Sequence, residues 1–542
     1  MRSTGITRGT PRPPLSGLVS GALMRVRVVS ALQAAELDRR AIAGGVSARI
    51  LMQSAGRAAA QLLIERFPLE ASRGVAIYAG AGNNGGDAWV VAADLARRGI
   101  RVRVAESAAA KTPDAMAERE AASAVLQHGV PDGTEGVVVD GLLGTGAVGA
   151  PRGPIADAIG RINTAAAVGA RVVALDVPSG VDATTGESVG AFVTADLTVT
   201  FGTMKRGLLV NRDASGTIVA VDIGIGGVAE EFAEAPWLMD NATVLRLVPP
   251  ITAGAHKGTR KRLLIVGGSH GFAGSTVLAA RGALRSGIGM VKLCVENASI
   301  AAVQTLEPAA MAIAWPETDA ELQTLLAWAN VVLIGPGLGL TDSSRLFARR
   351  VLKSWRGPVV VDADALTAFT GASSEFGALL TGRPAVITPH AVEFSRLAGV
   401  ELSEVNARRF EIAGDLARTI HATVLLKGVP TIISDGSVTE VSAAGTPVLA
   451  TGGSGDVLGG IVATLLAQSN EPRPSAAAAA WVHGRAAELA GAGRIRGVTV
   501  HDVIDGLARA WPTVDTPSKP PMMVELPAVG EREVRTPTSR TP

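Results

Sequence analysis

A two-domain α/β protein is the architecture that the 542-residue sequence predicts, and three observations carry the prediction. Short apolar strands alternate with helical patterns along most of the chain, the signature of βαβ units. The length exceeds one ordinary domain, and the pattern weakens across Ala229 to Asp240 and turns at Pro249-Pro250, which places a boundary near 235–250. Composition agrees: hydrophobic residues make up 47%, charged residues 18% and aromatics 3%, with 64 glycines, so small-residue α/β packing fits best.

The same numbers exclude several classes. A formal net charge of +2, without a basic stripe carrying interleaved aromatics, argues against a nucleic-acid binder. No uninterrupted apolar run of about 18 residues is present, so no membrane span is expected. The single cysteine, Cys294 in MVKLCVEN, rules out a disulfide framework and fits a reducing, cytoplasmic compartment. Its apolar strand-like setting makes it a core residue rather than a nucleophile. Residues 1–23 lack acids and an apolar signal core, and are expected to be a disordered extension. Residues 512–542, rich in Pro and Thr, are expected to be a disordered tail. The domains then span 24–235 and 240–511.

In order, Ala35 to Leu63 reads as two helices, and Val75 to Ala79 as a strand running into the loop Gly80 to Asp87. A helix is expected over Ala88–Arg98 and strands at Arg101–Ala105, Val137–Asp140, Val172–Asp176, Leu197–Thr200 and Ile218–Asp222. The second half restarts at Arg262–Gly267, turns at GGSHGFAG and continues with a small-residue helix over Ser275–Ser286. Strands recur at Met290–Val295, Val331–Ile334, Val359–Asp362, Ala385–Thr388, Thr423–Lys427 and Thr431–Ser434. Ala407–Ile420, Val457–Leu466 and Ser475–Leu489 have helical patterns. The halves share a class but no register, so they are two different domains.

Open α/β sheets bind ligands at strand C-termini, and the first half has three polar strand ends. They are Asn83-Asn84-Gly85-Gly86-Asp87, then Asp140 with the glycine-rich run Gly141 to Ala150, then Asp176-Val-Pro-Ser179-Gly180. Each alone fits an ordinary turn. Together they offer oxygen donors suited to a hard cation and loops suited to an anion. In the second half, Thr451 to Gly460, TGGSGDVLGG, places Gly and Ser around one carboxylate, Asp456, before a helix. A helix N-terminus has free N–H groups and partial positive charge, which suits a phosphate. A glycine-rich cap is the plain alternative. The loop alone points to phosphoryl transfer with Asp456 as base.

These motifs carry a family resemblance. Val29 to Phe232, with its NNGGD loop, resembles the NAD(P)H-hydrate epimerase domain. Asp240 to Trp511 resembles the ADP-dependent NAD(P)H-hydrate dehydratase. It does so through His256-Lys257-Gly258, Gly268-Ser269, Gly335-Pro-Gly337-Leu-Gly339, Asp362-Ala-Asp364-Ala-Leu366, Thr388-Pro-His390, Lys427-Gly428 and the TGGSGD loop. The resemblance implies a Rossmann-like three-layer first domain and a ribokinase-like second one. It also implies repair of NADH and NADPH hydrated at the nicotinamide ring (NADHX and NADPHX): epimerisation, then ADP-dependent dehydration of the S epimer.

Carried over by motif, Asn83, Asn84, Gly85, Gly86, Asp87 and Gly144, Thr145, Gly146, Ala147, Val148, Gly149, Ala150 would line the epimerase site. Asp176 would be its acid/base, and Asn84, Asp140 and Ser179 would ligate potassium. In the second domain the resemblance makes Asp456 the base and Ser275, Gly337 and His390 substrate contacts. Lys427, Gly428, Val429, Pro430, Thr431 and Gly453, Ser454, Gly455 would hold the nucleotide. For Lys427 and His390 the residues alone equally fit a strand-end turn and a structural histidine. Asp362, Asp364 and Glu393 are candidates for a magnesium site. ADP and the hydrated cofactors are the implied partners, in a homo-oligomer. Two positions depart from the family: Thr259-Arg-Lys-Arg262 replaces a common Gly before the first strand, and Val392 stands where Gly is frequent. The competing reading is a small-molecule kinase using ATP, with a non-catalytic N-terminal module.

Overall fold

Strands buried on both faces read as continuous apolar runs, and that is how this chain builds two parallel-rich sheets. The computed structural model describes residues 25–126, 129–233, 235–514 and 520–529, so the expected extension at 1–23 lies outside the described residues. The first sheet has seven strands in the order Met522–Leu526, Thr217–Val221, Leu197–Phe201, Arg171–Leu175, Val137–Gly141, Val75–Ala79, Val102–Glu106. Helices Ala48–Arg66 and Asn83–Arg97 cover one face, and Pro154–Ala167 covers the other, giving three layers. Strand Val75–Ala79 pairs in parallel with both Val102–Glu106 and Val137–Gly141. The chain reverses direction across the sheet there, and such a switch point opens a crevice at the strand C-termini.

The second sheet has ten strands, in the order Met311–Ala314, Met290–Val295, Arg262–Val266, Val331–Ile334, Val359–Val361, Ala385–Ile387, Thr423–Leu426, Thr431–Ser434, Thr439–Ser442, Trp237–Leu238. Its first seven strands are parallel, and Thr431–Ser434 runs antiparallel to both of its neighbours. Helix Ser454–Ser469 lies on one face beside Ala273–Arg285. The two helices meet backbone to backbone: a methyl on Gly460 would strike Ala279 O, and one on Gly282 would strike Val457 O. The opposite face belongs to an apolar cluster that also takes in Val28, Val177, Met204 and Ile218 of the first half and Val524 and Leu526 near the C-terminus. Cys294 is fully buried, and burial pushes its thiol up to about 12, as a core cysteine should be.

The structure corrects the expectation of a wholly disordered tail. Met522–Leu526 pairs antiparallel with Thr217–Val221 and closes the first sheet. Arg66 bridges Glu525 at 2.5 Å, and Val524 and Leu526 are buried. Two helices start earlier than their apolar patterns. Asn83–Arg97 and Ser454–Ser469 take in the polar, glycine-rich residues that read as loop, because the first turn of a helix needs no apolar face. Thr439–Ser442 lacks an apolar run, and Met311–Ala314 is a short, half-exposed edge strand; both escaped the sequence reading. Lys261, within the Thr259-to-Arg262 departure, has φ of 74°. The turn there has a left-handed residue, the conformation that glycine adopts freely.

Two candidate active sites at the strand ends

The first site forms where strands Val75–Ala79 and Val137–Gly141 end beside helix Asn83–Arg97. Glycines permit that approach: a methyl on Gly85 would strike Gly80 O, and one on Gly80 would strike Leu142 O. A methyl on Gly86 would lie 2.5 Å from Met52 Sδ, and one on Gly141 2.5 Å from Ala88 Cβ. Gly85 and Gly86 are therefore packing residues in the first place. They bring Asn84 inward, where its Nδ2 donates to Leu143 O at 2.8 Å and its buried Oδ1 has no hydrogen-bond partner.

Asp140, fully buried, is the anchor of this cluster. Its Oδ1 accepts from Ser179 Oγ at 2.6 Å and Leu142 N at 3.2 Å, and its Oδ2 accepts from Ser179 N at 2.8 Å. Burial pushes the carboxyl up to about 6, while these bonds pull it back. Ser179 Oγ also accepts from Leu143 N at 2.9 Å. The structure thus gathers Asn84, Asp140 and Ser179 into one oxygen-rich cluster. Gly144 packs on it, since a methyl there would sit 3.2 Å from Asn84 Cβ. Beyond it Gly146, Val148 and Gly149 are exposed and form a rim, Val148 at 92%.

Asp176 stands on the next strand end with φ of 63° and pairs with Lys205 Nζ at 2.5 Å. Asp87 faces the same charges: burial pushes it well above the usual carboxylate range, Asp176 and Asp38 add to this, and Lys205 opposes it. Sequence reasoning missed Lys205 and Asp38. The available signal for Lys205 was a lysine placed directly after the small and apolar run TFGTM.

The second site lies across the ends of strands Arg262–Val266, Val331–Ile334, Val359–Val361 and Thr423–Leu426. Gly453 caps helix Ser454–Ser469 with φ of 87°, and a methyl on it would strike Leu278. Asp456 sits in the first turn. Burial pushes its carboxyl up to about 7, with Asp362 and Asp364 adding and Ser275 (through a hydrogen bond) and Lys427 opposing. Lys427 Nζ donates to Asp362 Oδ1 at 2.9 Å and lies 3.8 Å from Glu393 Oε2. Burial works against the Lys427 ammonium, but Asp362, Glu393 and Asp456 outweigh it, so its pKa is raised. A methyl on Gly455 would lie 3.4 Å from that ammonium. The glycine loop and the lysine therefore line one small space.

Asp364 Oδ2 accepts from Gly339 N at 2.8 Å, tying the aspartate pair to the Gly335–Gly339 turn. Gly337 has φ of 57°, and a methyl on it would lie 2.6 Å from Phe272 O and 3.1 Å from Ser275 Cβ. The bonds of His390 are those of a helix cap: its Nδ1 accepts from Val392 N at 3.1 Å and Glu393 N at 3.2 Å. Glu393 Oε2 reciprocates by accepting from His390 N at 2.8 Å. The residues Lys427–Thr431 are held from beneath by Arg409, which the sequence did not single out. Its Nε donates to Pro430 O at 2.9 Å and its Nη2 to Lys427 O at 2.6 Å. His483 was also missed. It is buried, its Nε2 lies 3.4 Å from Ser454 Oγ, and burial pushes it down to about 4.

Among the described residues no group of three or more His, Cys, Asp or Glu is placed to hold a metal ion, and no helix is long and apolar enough to cross a membrane.

Two family models match the chain. One, described as NAD(P)H-hydrate dehydratase, covers residues 263–509, and the other, the YjeF-related protein N-terminus, covers residues 48–207. Relatives described as bifunctional NAD(P)H-hydrate repair enzymes match over most of their length. That of Hyperthermus butylicus is 35% identical over 510 residues, covering 89% of this chain and 92% of the relative. That of Coxiella burnetii is 36% identical over 493 residues, covering 88% and 97%. That of Escherichia coli is 34% identical over 494 residues, covering 86% and 90%. A solved structure of the ADP/ATP-dependent NAD(P)H-hydrate dehydratase of Bacillus subtilis, co-crystallised with ATP and Mg2+, is 28% identical. It covers 50% of this chain and 96% of its own, with a TM-score of 0.45.

Proposed function

We propose a two-step cofactor repair for this chain, which belongs to the family of bifunctional NAD(P)H-hydrate repair enzymes. The first site interconverts the R and S epimers of hydrated NADH and NADPH. The second dehydrates the S epimer at the expense of ADP, giving NAD(P)H, AMP and phosphate. The observation that carries this reading is Asp456, a carboxyl held near neutrality in the first turn of a glycine-capped helix.

A hydroxyl is a poor leaving group and a phosphate a good one. In the proposed reaction Asp456 takes the adduct's hydroxyl proton as that oxygen forms a bond to the β-phosphorus of ADP and the bond to AMP breaks. The N–H groups of Gly453 to Gly455 and the Lys427 ammonium face the transferring phosphoryl group and stabilise its charge. Departure of phosphate from carbon, with loss of a proton from the neighbouring carbon, then restores the ring double bond. Lys427–Thr431 holds the nucleotide, and Ser275, Gly337 and His390 border the adduct. Asp362 and Asp364 would hold magnesium together with the phosphates; a bound magnesium supplies neutralisation of phosphate charge. Asp362 already turns one oxygen to Lys427, so the ammonium and the aspartate pair serve one binding space.

In the first site Asp176 acts as acid/base on the adduct, within a wall formed by Asn83 to Asp87 and Gly144 to Ala150. Asn84, Asp140 and Ser179 would hold potassium. The unpartnered buried Oδ1 of Asn84, joined through Leu143 and Ser179 to the buried Asp140 carboxylate, contributes to a set of hard oxygens that fits a monovalent cation. That ion supplies charge balance and a template.

Two variants test the division of labour. Asp456→Asn is expected to lose dehydration of the S epimer and keep epimerisation, and Asp176→Asn the reverse. Equal loss of both activities in either variant contradicts two independent sites.

A further inference from the structure

We propose that Lys205 is the positioning residue of the epimerase site: it saturates one oxygen of Asp176 and leaves the other for the substrate. Lys205 lies in the two-residue strand Met204–Lys205, which pairs with Val28–Val29. Its side chain is 3% exposed. A lysine is costly to bury unless its charge is matched and its donors are used. Here Nζ donates to Phe201 O at 2.8 Å and Thr203 O at 3.4 Å, and reaches Asp176 Oδ1 at 2.5 Å.

The bonds to Asp176 are one-sided. Oδ1 also accepts from Thr200 Oγ1 at 3.2 Å and Phe201 N at 3.3 Å, so three donors converge on a single oxygen. The residue has φ of 63°, a left-handed conformation that non-glycine residues seldom adopt. Local strain of this kind persists where the surroundings over-determine it, and Lys205 supplies the strongest of the three restraints. Three carboxylates bear on this corner: Asp176, Asp87 from helix Asn83–Arg97 and Asp38 from helix Ala31–Ala43. The Lys205 charge opposes their mutual repulsion. Losing it frees the Asp176 carboxylate to rotate and turn away from the other two.

The proposal rests on the reading of Asp176 as the acid/base, and the experiment separates the two. Lys205→Met and Lys205→Gln are made in the full chain. Conversion of the R epimer to the S epimer is followed without ADP, and dehydration of pure S epimer with ADP reports whether the chain is folded. Lys205→Met is expected to lower kcat for epimerisation about 10²-fold, the lower range for an acid/base group, with KM within about twofold. Lys205→Gln, which keeps a donor without the charge, should recover part of that loss. Dehydration should be unchanged in both. An epimerisation kcat within about threefold of the parent, or a rise in KM at constant kcat, overturns the positioning role. A parallel loss of dehydration makes Lys205 a folding residue and overturns it equally. In Asp176→Asn, surviving epimerisation sinks the acid/base reading itself. Lys205→Met lowering the rate further in that background shows that it does not act through Asp176.

Discussion

Acidification should switch off the ADP-dependent step by protonating Asp456. Burial holds this carboxyl up to about 7, and Asp362 and Asp364 reinforce the effect. A general base works ionised, so dehydration should be full above that value and fall as pH drops through it. At about two pH units below the midpoint only about 1% of the carboxyl is ionised, so kcat/KM should be down about 10²-fold. The neighbours set the position of this limb and give it a second test. Asp362→Asn removes a like charge, so the midpoint should move to lower pH; Lys427→Met removes an opposite charge, so it should move to higher pH. The assay is the initial rate of recovery of reduced-nicotinamide absorbance from pure S hydrate at saturating ADP, in buffers of constant ionic strength. A flat profile between about pH 5 and about pH 8 would refute the role of Asp456 as base. So would shifts of the two variants in the same direction.

Other consequences follow from single contacts. Arg409→Met removes two charge-assisted bonds to the carbonyls of Lys427 and Pro430, each worth about 1.5–3 kcal/mol in general. The KM for ADP should rise at least about tenfold with epimerisation untouched, as steady-state kinetics on both steps will report. Gly85→Ala forces a methyl onto Gly80 O and should destabilise the first domain by more than about 3 kcal/mol; calorimetry and loss of epimerisation check it. Removing residues 515–542 strips strand Met522–Leu526 from the first sheet and opens the edge at Thr217–Val221. A lower melting temperature and greater self-association by light scattering are expected.

Where the sequence spoke clearly, it did so through uninterrupted apolar runs. Val75–Ala79 and Val331–Ile334 lie where their patterns place them, because strands buried on both faces allow few polar residues. The pattern failed at elements whose burial is one-sided or supplied from far away. Met522–Leu526 is stabilised by a partner about three hundred residues distant, and nothing local in a Pro-rich tail announces such a pairing. The glycine-rich motifs were legible as motifs but not as structure: NNGGD and SGD are first turns of helices, and Gly85 and Gly86 answer to packing. Asp456 and Asp140 were visible because a lone carboxylate beside glycines at a strand or helix end is unusual. Lys205 and Arg409 were not. Their chemistry depends on carbonyls and carboxylates brought to them by other segments, and a single buried cation in a sequence looks like any surface one.

The end point of repair decides whether one chain carries both steps. Purified protein is given an epimeric mixture of hydrated NADH with ADP, and absorbance of the reduced nicotinamide is followed to completion. Two working sites on one chain predict full recovery, with AMP and phosphate formed in step. Recovery that stops at the share of S epimer initially present, or a stable phosphorylated product without recovery, would contradict the account.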